Sequence, residues 1–454
     1  MLADLHLHLY GMIRSHDVLH RLATSKRQRW ERYEDAMRAA FGAIPPIKEV
    51  LERYRRGVAD AAEAFHELFV LRAGDAGDFD RFRAKFYLLT VGSAVKDPEA
   101  PAAEVETEIR DVVAGLSADQ RRNGISHSEV RAPLGPSMHD RVMIDTLLDT
   151  FDTGDDGPTM RLAISLDRAD PWAGWDRVRE LAVGPSGHVL TGIDFSADEE
   201  PHPPKGKAEF FAAVREFNGA HPDRALAILY HVGESFRDKS LESAVRWVQQ
   251  AAEFGAHRLG HAIALGVDPD VFGPHTRQET VAERLDQIAY DLDHCEGLRS
   301  AGVAVDRAAL VAERAALDSR PADAVISIEY DRSRLDDVRR RQRYAMDRIA
   351  AIGSVIEVCP TSNRLIGGIE DPAHHPVHRF LDAGLRVIIG SDNPGILDTT
   401  LDAELDWVCR HTGGGAELRR ELVETAWAGR SEILSGRAAT HRPDTGMGGA
   451  DVPS

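Results

Sequence analysis

Residues 225–234 read Ala225-Leu226-Ala227-Ile228-Leu229-Tyr230-His231-Val232-Gly233-Glu234, and this stretch decides the fold. An apolar run without polar–apolar alternation suits a strand covered on both faces, and here a histidine and a glutamate follow at its C-terminal end. Seven further runs have the same character: Leu2–His8, Ile125–Arg131, Arg161–Leu166, Val189–Phe195, Arg258–His261, Ser354–Cys359 and Leu385–Ser391. With Ala225–His231 they make eight strands separated by helix-like stretches, the pattern of βαβ units. Eight such units predict an α/β fold, a closed (β/α)8 TIM-type barrel whose chemistry gathers at the C-terminal strand ends.

Two connections are too long for a bare βα unit. Residues 9–124, after the first strand, carry helical patterns at Ala61–Leu71 and Phe79–Leu89, with a break at Pro45-Pro46. Residues 267–353, between the sixth and seventh strands, contain charged periodic stretches at Gln278–Leu292 and Arg332–Ile352. Both are expected to be helical insertions that serve as lids, as homo-oligomer contacts or as packing. Residues 1–435 are thus expected to form a single barrel, and 436–454, rich in Gly, Pro, Thr and Asp without periodicity, a disordered tail.

The chain has 454 residues, enough for about three domains or for one elaborated barrel. Its 55 Lys and Arg against 74 Asp and Glu give a net charge of −19, which argues against a nucleic-acid backbone as the main partner. Three cysteines, Cys295, Cys359 and Cys409, are too few and too scattered for a disulfide framework or a four-cysteine zinc site. No apolar run is long enough to span a membrane, and Met1-Leu2-Ala3-Asp4 opens with an acid where a leader would be basic. A cytoplasmic protein with a small-molecule partner is expected, binding neither nucleic acid nor membrane.

The chemistry-bearing residues stand at strand ends. In His6-Leu7-His8 the two imidazoles lie two residues apart, so in a strand they share a face and supply half of a mononuclear zinc site. His231 offers a third ligand, and Glu234, three residues on, can curl over a metal. His261 ends Arg258-Leu259-Gly260-His261, and Asp392 ends Leu385–Ser391 just before Asn393-Pro394. Each could be an ordinary core or loop residue, but ligand types at the ends of strands one, five, six and eight form one constellation.

With their neighbours these residues resemble the adenosine deaminase family of the amidohydrolase superfamily. The resemblance rests on Leu5–Gly11, Ser128–Arg131, Gly192–Glu199, His231–Glu234 and Arg258–His261, then on Glu357–Asn363, His375-Pro376, Ser391–Pro394 and Thr400–Glu404. Cys359-Pro360-Thr361-Ser362-Asn363 is among the more specific signatures, whereas the long insertion ahead of it is not a usual family feature. The resemblance implies one zinc ion per chain held by His6, His8, His231 and Asp392, with Glu234 as proton shuttle. It implies His261, together with Asp392, as the group that orients the attacking hydroxide. Binuclear relatives commonly bridge two metals through a carboxylated lysine on the fourth strand, and this chain has no lysine between Lys96 and Lys205. One metal is therefore expected.

Three departures bear on the substrate. Tyr10 stands where the family has an acid that touches ribose, Asn393 where a second acid meets purine N7, and Ala197 where a glycine N–H meets N3. An amide can donate to N7 without first being protonated, while a phenol in place of the acid predicts that plain adenosine is a poor substrate. The expected function is a zinc-dependent hydrolytic deaminase releasing ammonia from a purine nucleoside or related purine-like compound. The alternatives are a deaminase of a modified or phosphorylated nucleoside, including one working in an antiviral assembly, and a deaminase-like binding subunit without turnover. Among weaker features, Cys359 is expected to pack; Asp291, Asp293 and His294-Cys295 could reach the mouth from the insertion but are expected, like Arg339-Arg340-Arg341, to form solvated faces. The arginine run could also bind phosphate if folded over the mouth.

Overall fold

The structure is a computed structural model and describes residues 1–152, 157–196, 198–200, 202–235 and 237–437. Its strands are β1 (Leu2–His8), β2 (Ile125–Pro133), β3 (Thr159–Ser165), β4 (Leu190–Asp194), β5 (Ala227–Val232), β6 (Arg258–His261), β7 (His275–Thr280), β8 (Val325–Tyr330), β9 (Val355–Val358) and β10 (Val387–Ile389). Eight of these pair in parallel in the order β1-β2-β3-β4-β5-β6-β9-β10. The ring closes where Leu7 bridges Asp392, just beyond β10. This is the (β/α)8 barrel, with each expected strand within two residues of its place. Every residue of β4, β5, β6, β9 and β10 is buried, because helices cover the outer face and side chains fill the inner one.

The inner face is not uniformly apolar. Glu129 and Arg131 of β2, Asp194 of β4, Arg258 of β6 and Glu357 of β9 are all buried there. Arg131 donates to both oxygens of Glu357 at 2.6 Å, and Arg258 reaches Glu357 at 2.8 Å and Glu129 at 2.7 Å. Glu129 also accepts from the Ser431 amide at 2.7 Å, so the short helix Ser431–Leu434 plugs the barrel floor. Charges in such a place are tolerable only when paired and hydrogen-bonded.

The first long connection is helical as expected, with Ala61–Phe69, Phe79–Phe86 and the long Ala102–Arg122 among its helices. The second is not purely helical. It contains an antiparallel ribbon in which β7 pairs with β8, from His275 opposite Tyr330 to Thr280 opposite Val325. Half of the ribbon is exposed, its first strand is polar and its second alternates, so it lacks the continuous apolar run that marks a barrel strand. Around it fold the helices Val281–Asp293, Cys295–Ser300, Arg307–Leu317 and Arg332–Ile352, with an apolar cluster of their own.

Asp291 and Arg341 are not a solvated face. They are 3% and 6% exposed and joined by two bonds of 2.6 and 2.8 Å, and Arg341 also meets Glu242 at 2.9 Å. With Arg246 on Glu283 and Gln287, and the Tyr290 hydroxyl donating to Gln249, these contacts dock the insertion on the barrel helix Leu241–Phe254. His294 and Cys295 belong to that packing: His294 contacts Glu253 at 3.3 Å and Cys295 is buried.

The first residues of the expected tail, Gly436 and Arg437, are among the described residues. Arg437 still donates to the carbonyls of Ala225, His188 and Leu190 under β4 and β5. The remainder of that tail, 438–454, lies outside the described residues. No helix among the described residues is long and apolar enough to cross a membrane.

Candidate metal centre and active site

The barrel seam builds the site. Across it the Asp392 amide donates to the His6 carbonyl at 2.8 Å, and the His8 amide donates to the Asp392 carbonyl at 3.0 Å. That alternation places the Asp392 carboxylate beside both imidazoles of β1. It also requires close approach: a Cβ on Gly390 would stand 2.5 Å from His6 Cβ, so a larger residue there would push the first histidine away. Asp392 and His261 both hold positive φ, 60° and 63°, a conformation costing roughly 1–2 kcal/mol outside glycine. Two strained residues at strand ends turn their side chains over the same opening.

The nitrogens converge. His231 Nε2 lies 3.1 Å from His6 Nε2 and 3.3 Å from His8 Nε2. Asp392 Oδ1 lies 3.2 Å from His8 Nε2 and 3.6 Å from His6 Nε2. Ligand atoms bonded to zinc at about 2.0–2.1 Å stand about 3.3–3.4 Å apart on a tetrahedron, so the four side chains match the edges of one coordination sphere. Their tautomers agree. His6 Nδ1 is 2.8 Å from Glu357 Oε2 and His231 Nδ1 is 3.1 Å from Asp194 Oδ1, so both Nδ1–H groups donate to carboxylates and both Nε2 lone pairs face the centre. Burial above all, with help from nearby positive charge, holds the His6 pKa well below its ordinary value and His231 down to about 4. Neutral imidazoles with opposed lone pairs call for a shared cation, and the donor set suits zinc.

Glu234 and His261 flank this centre. Glu234 Oε1 is 3.6 Å from His261 Nε2, and burial raises its carboxyl pKa against the opposing pull of His261. His261 Nδ1 lies 2.9 Å from Asn363 Oδ1, whose amide nitrogen is 3.4 Å from His375 Nε2. The Cys-Pro-Thr-Ser-Asn run and His375-Pro376 thus orient His261. Cys359 is 1% exposed, and burial raises its thiol pKa well above the ordinary range, consistent with packing.

The expected substrate contacts fare differently. Asn393 is at the site, and its Nδ2 donates to Asp392 Oδ1 at 2.7 Å. Its Oδ1 is buried without a hydrogen-bond partner and sits where a Cβ on Gly11 would fall 1.8 Å away, so only glycine fits there. Tyr10 does not join the cluster. Its ring is 5% exposed, and its hydroxyl lies 3.5 Å from Ser93 Oγ and 3.8 Å from Met143 Sδ, in the packing against the first insertion. Ala197 lies outside the described residues. The supporting residues Asp194, Glu357, Arg131 and Asn363 carried one sequence signal: charged or amide side chains inside or directly after apolar strand runs. A cavity of about 630 Å³ between the helices Ser15–Thr24 and Ala102–Arg122 contains none of the candidate ligand residues, and the site is defined by side-chain chemistry instead.

The fold is that of a barrel hydrolase, with a histidine–carboxylate cluster that could hold a metal. The adenosine deaminase family model matches residues 323–431. An adenine deaminase of Sinorhizobium medicae is 31% identical over 254 residues, 55% of this chain and 68% of that protein. Other adenine deaminases match over shorter stretches, where the chain spans 26% of the relative's length. Adenine deaminase from Arthrobacter aurescens shares the fold, with a TM-score of 0.52 and 14% identity over 96% of this chain and 97% of that one. So does the N6-methyl-AMP deaminase from Arabidopsis thaliana, with a TM-score of 0.54 and 15% identity over 95% of this chain and 91% of that one. The chain belongs to the adenosine deaminase family.

Proposed function

We propose that this protein is a zinc-dependent hydrolytic deaminase that releases ammonia from a purine-like ring. One observation carries the reading: the Nε2 atoms of His6, His8 and His231 and the Asp392 carboxylate meet within 3.1–3.6 Å, with Glu234 and His261 poised beside them. Zinc held by these four side chains would supply Lewis-acid activation of water, whose pKa such a metal brings from about 15.7 toward about 7. The protein supplies the rest. Glu234, its carboxyl pKa raised by burial, holds a proton for the ring nitrogen beside the amine-bearing carbon and then assists the departure of ammonia. His261, fixed by Asn363, and Asp392 hydrogen-bond to the attacking oxygen. Asn393 Nδ2 is the donor available to a ring nitrogen such as N7.

An adenine-type base is the favoured substrate, because the Tyr10 hydroxyl is turned toward Ser93 and Met143 and offers a ribose no partner. The relatives named adenine deaminases support the same choice. A nucleotide substrate is the second reading, and one feature favours it. Arg168 and the buried Lys207 lie in the loops after β3 and β4, and burial with the Arg168 charge brings Lys207 down to about 8. The test is ammonia release from adenine, adenosine, AMP and N6-methyl-AMP. Adenine ahead of the rest upholds the first reading and a monophosphate the second. Activity on none of them, with zinc bound, would leave a binding protein.

A further inference from the structure

Away from the histidine cluster, a cavity of about 300 Å³ lies between the insertion helix Arg332–Ile352, the loop after β6 and the helix Val377–Asp382. It is lined by Asp268, Arg339, Arg340, Arg343 and Arg379. The lining itself holds four guanidiniums and one carboxylate, and Asp270, Asp336 and Asp337 pair with two of the four from just outside it. Nearby acids engage two of the four. Arg339 pairs with Asp268, Asp270 and Asp336 at 2.7–2.9 Å, and Arg340 pairs with Asp337 at 2.7 Å. Arg379 gives Nη1 to Gln342 Oε1 at 2.7 Å and to the Gly266 and Val267 carbonyls, all neutral acceptors, and its Nε and Nη2 have no hydrogen-bond partner among the described residues. Arg343 is exposed and has neither ion pair nor hydrogen bond among the described residues. Burial lowers the Arg379 pKa; Asp268 opposes the shift, and Arg339 and Arg343 add to it.

We propose that this hollow is a second binding site, for a phosphate group, with Arg343 and the free edge of Arg379 as its two forks. Planar guanidinium forks match the oxygens of a phosphate, and the two that lack an acid partner, Arg343 and Arg379, line the same hollow. At about 30 Å³ per water, the cavity has the room of about ten waters, so a phosphomonoester fits as well as the free anion. The site shares no residue with the metal centre and does not depend on the proposed reaction.

The test is calorimetric titration of the zinc-loaded protein with inorganic phosphate and, separately, with ribose 5-phosphate. One saturable site per chain is expected, weakening as salt rises. Arg343→Glu should weaken it by roughly 10–100-fold, the value of a charged hydrogen-bonded contact. Because Arg343 is exposed and unpaired, that variant should fold normally, and circular dichroism checks this. Equal binding of the two probes assigns recognition to the phosphate alone, and tighter ribose 5-phosphate assigns it to the ester. His231→Ala serves as the control for anion bound at the metal centre. Binding that survives Arg343→Glu but is lost in His231→Ala would overturn the proposal, and so would the absence of saturable binding up to about 10 mM.

Discussion

At the residue scale, the site rests on side chains whose roles separate cleanly. Glu234 is beside the proposed metal ligands and not among the convergent nitrogens, so on the proposed mechanism its loss should cost rate without costing metal. Glu234→Gln keeps the shape and removes the proton, and kcat should fall about 10²–10⁴-fold while zinc content by elemental analysis stays unchanged. Asp194 acts through another residue, as a positioning group for His231. Asp194→Asn should weaken zinc about 10–100-fold in a chelator competition assay and shift the His231 imidazole resonances. An unchanged affinity would mean that backbone geometry alone aims His231. These positioning acids show in the sequence only as charges inside apolar runs, with no indication of which histidine each would meet.

At the element scale, the strands are held together from inside by charge as well as by the backbone ladder. Burial alone would raise the Glu129 carboxyl pKa, but Arg258, His127 and Ser431 outweigh it and bring the group to about 2 from an ordinary 4.5. A depressed carboxylate stabilises the folded state fully above its unfolded pKa, and that stabilisation is lost as pH falls through the folded one. The window for Glu129 therefore runs from about 4.5 down to about 2. Thermal melts of the parent and of Glu129→Gln should differ most above pH 4.5 and converge as pH approaches 2. A constant gap would mean that Glu129 contributes shape and not charge. The strands themselves were legible because continuous apolar runs mark burial on both faces. The ribbon β7–β8 was not, because its first strand is polar and half of its residues are exposed, so it lacks a continuous apolar run.

At the scale of the whole molecule, the second insertion is bound to the barrel through ion pairs buried against the helix Leu241–Phe254. Replacing Arg341 by Met would leave Asp291 and Glu242 facing each other without that guanidinium. Removing one member of a buried pair costs about 3–5 kcal/mol. Denaturant unfolding should register that loss, and limited proteolysis should cut first within 267–353, while zinc affinity stays at the parent value. An insertion that is merely appended would show no change in the barrel's unfolding midpoint.

The sequence by itself determined the barrel, the strand positions and the ligand types, since periodicity and strand-end chemistry are local properties. His6 and His8 share a face because strands repeat every two residues, whatever surrounds them. Tertiary structure alone decided which groups meet. It closed the ring through Leu7 and Asp392, set Glu357 behind His6 across 351 residues of sequence, and paired the arginine run with acids from distant elements. It also turned the Tyr10 hydroxyl into the packing beside Ser93 and Met143. Those outcomes depend on long-range packing and on the pairing that buried charge demands, and neither has a signature in the order of residues along the chain.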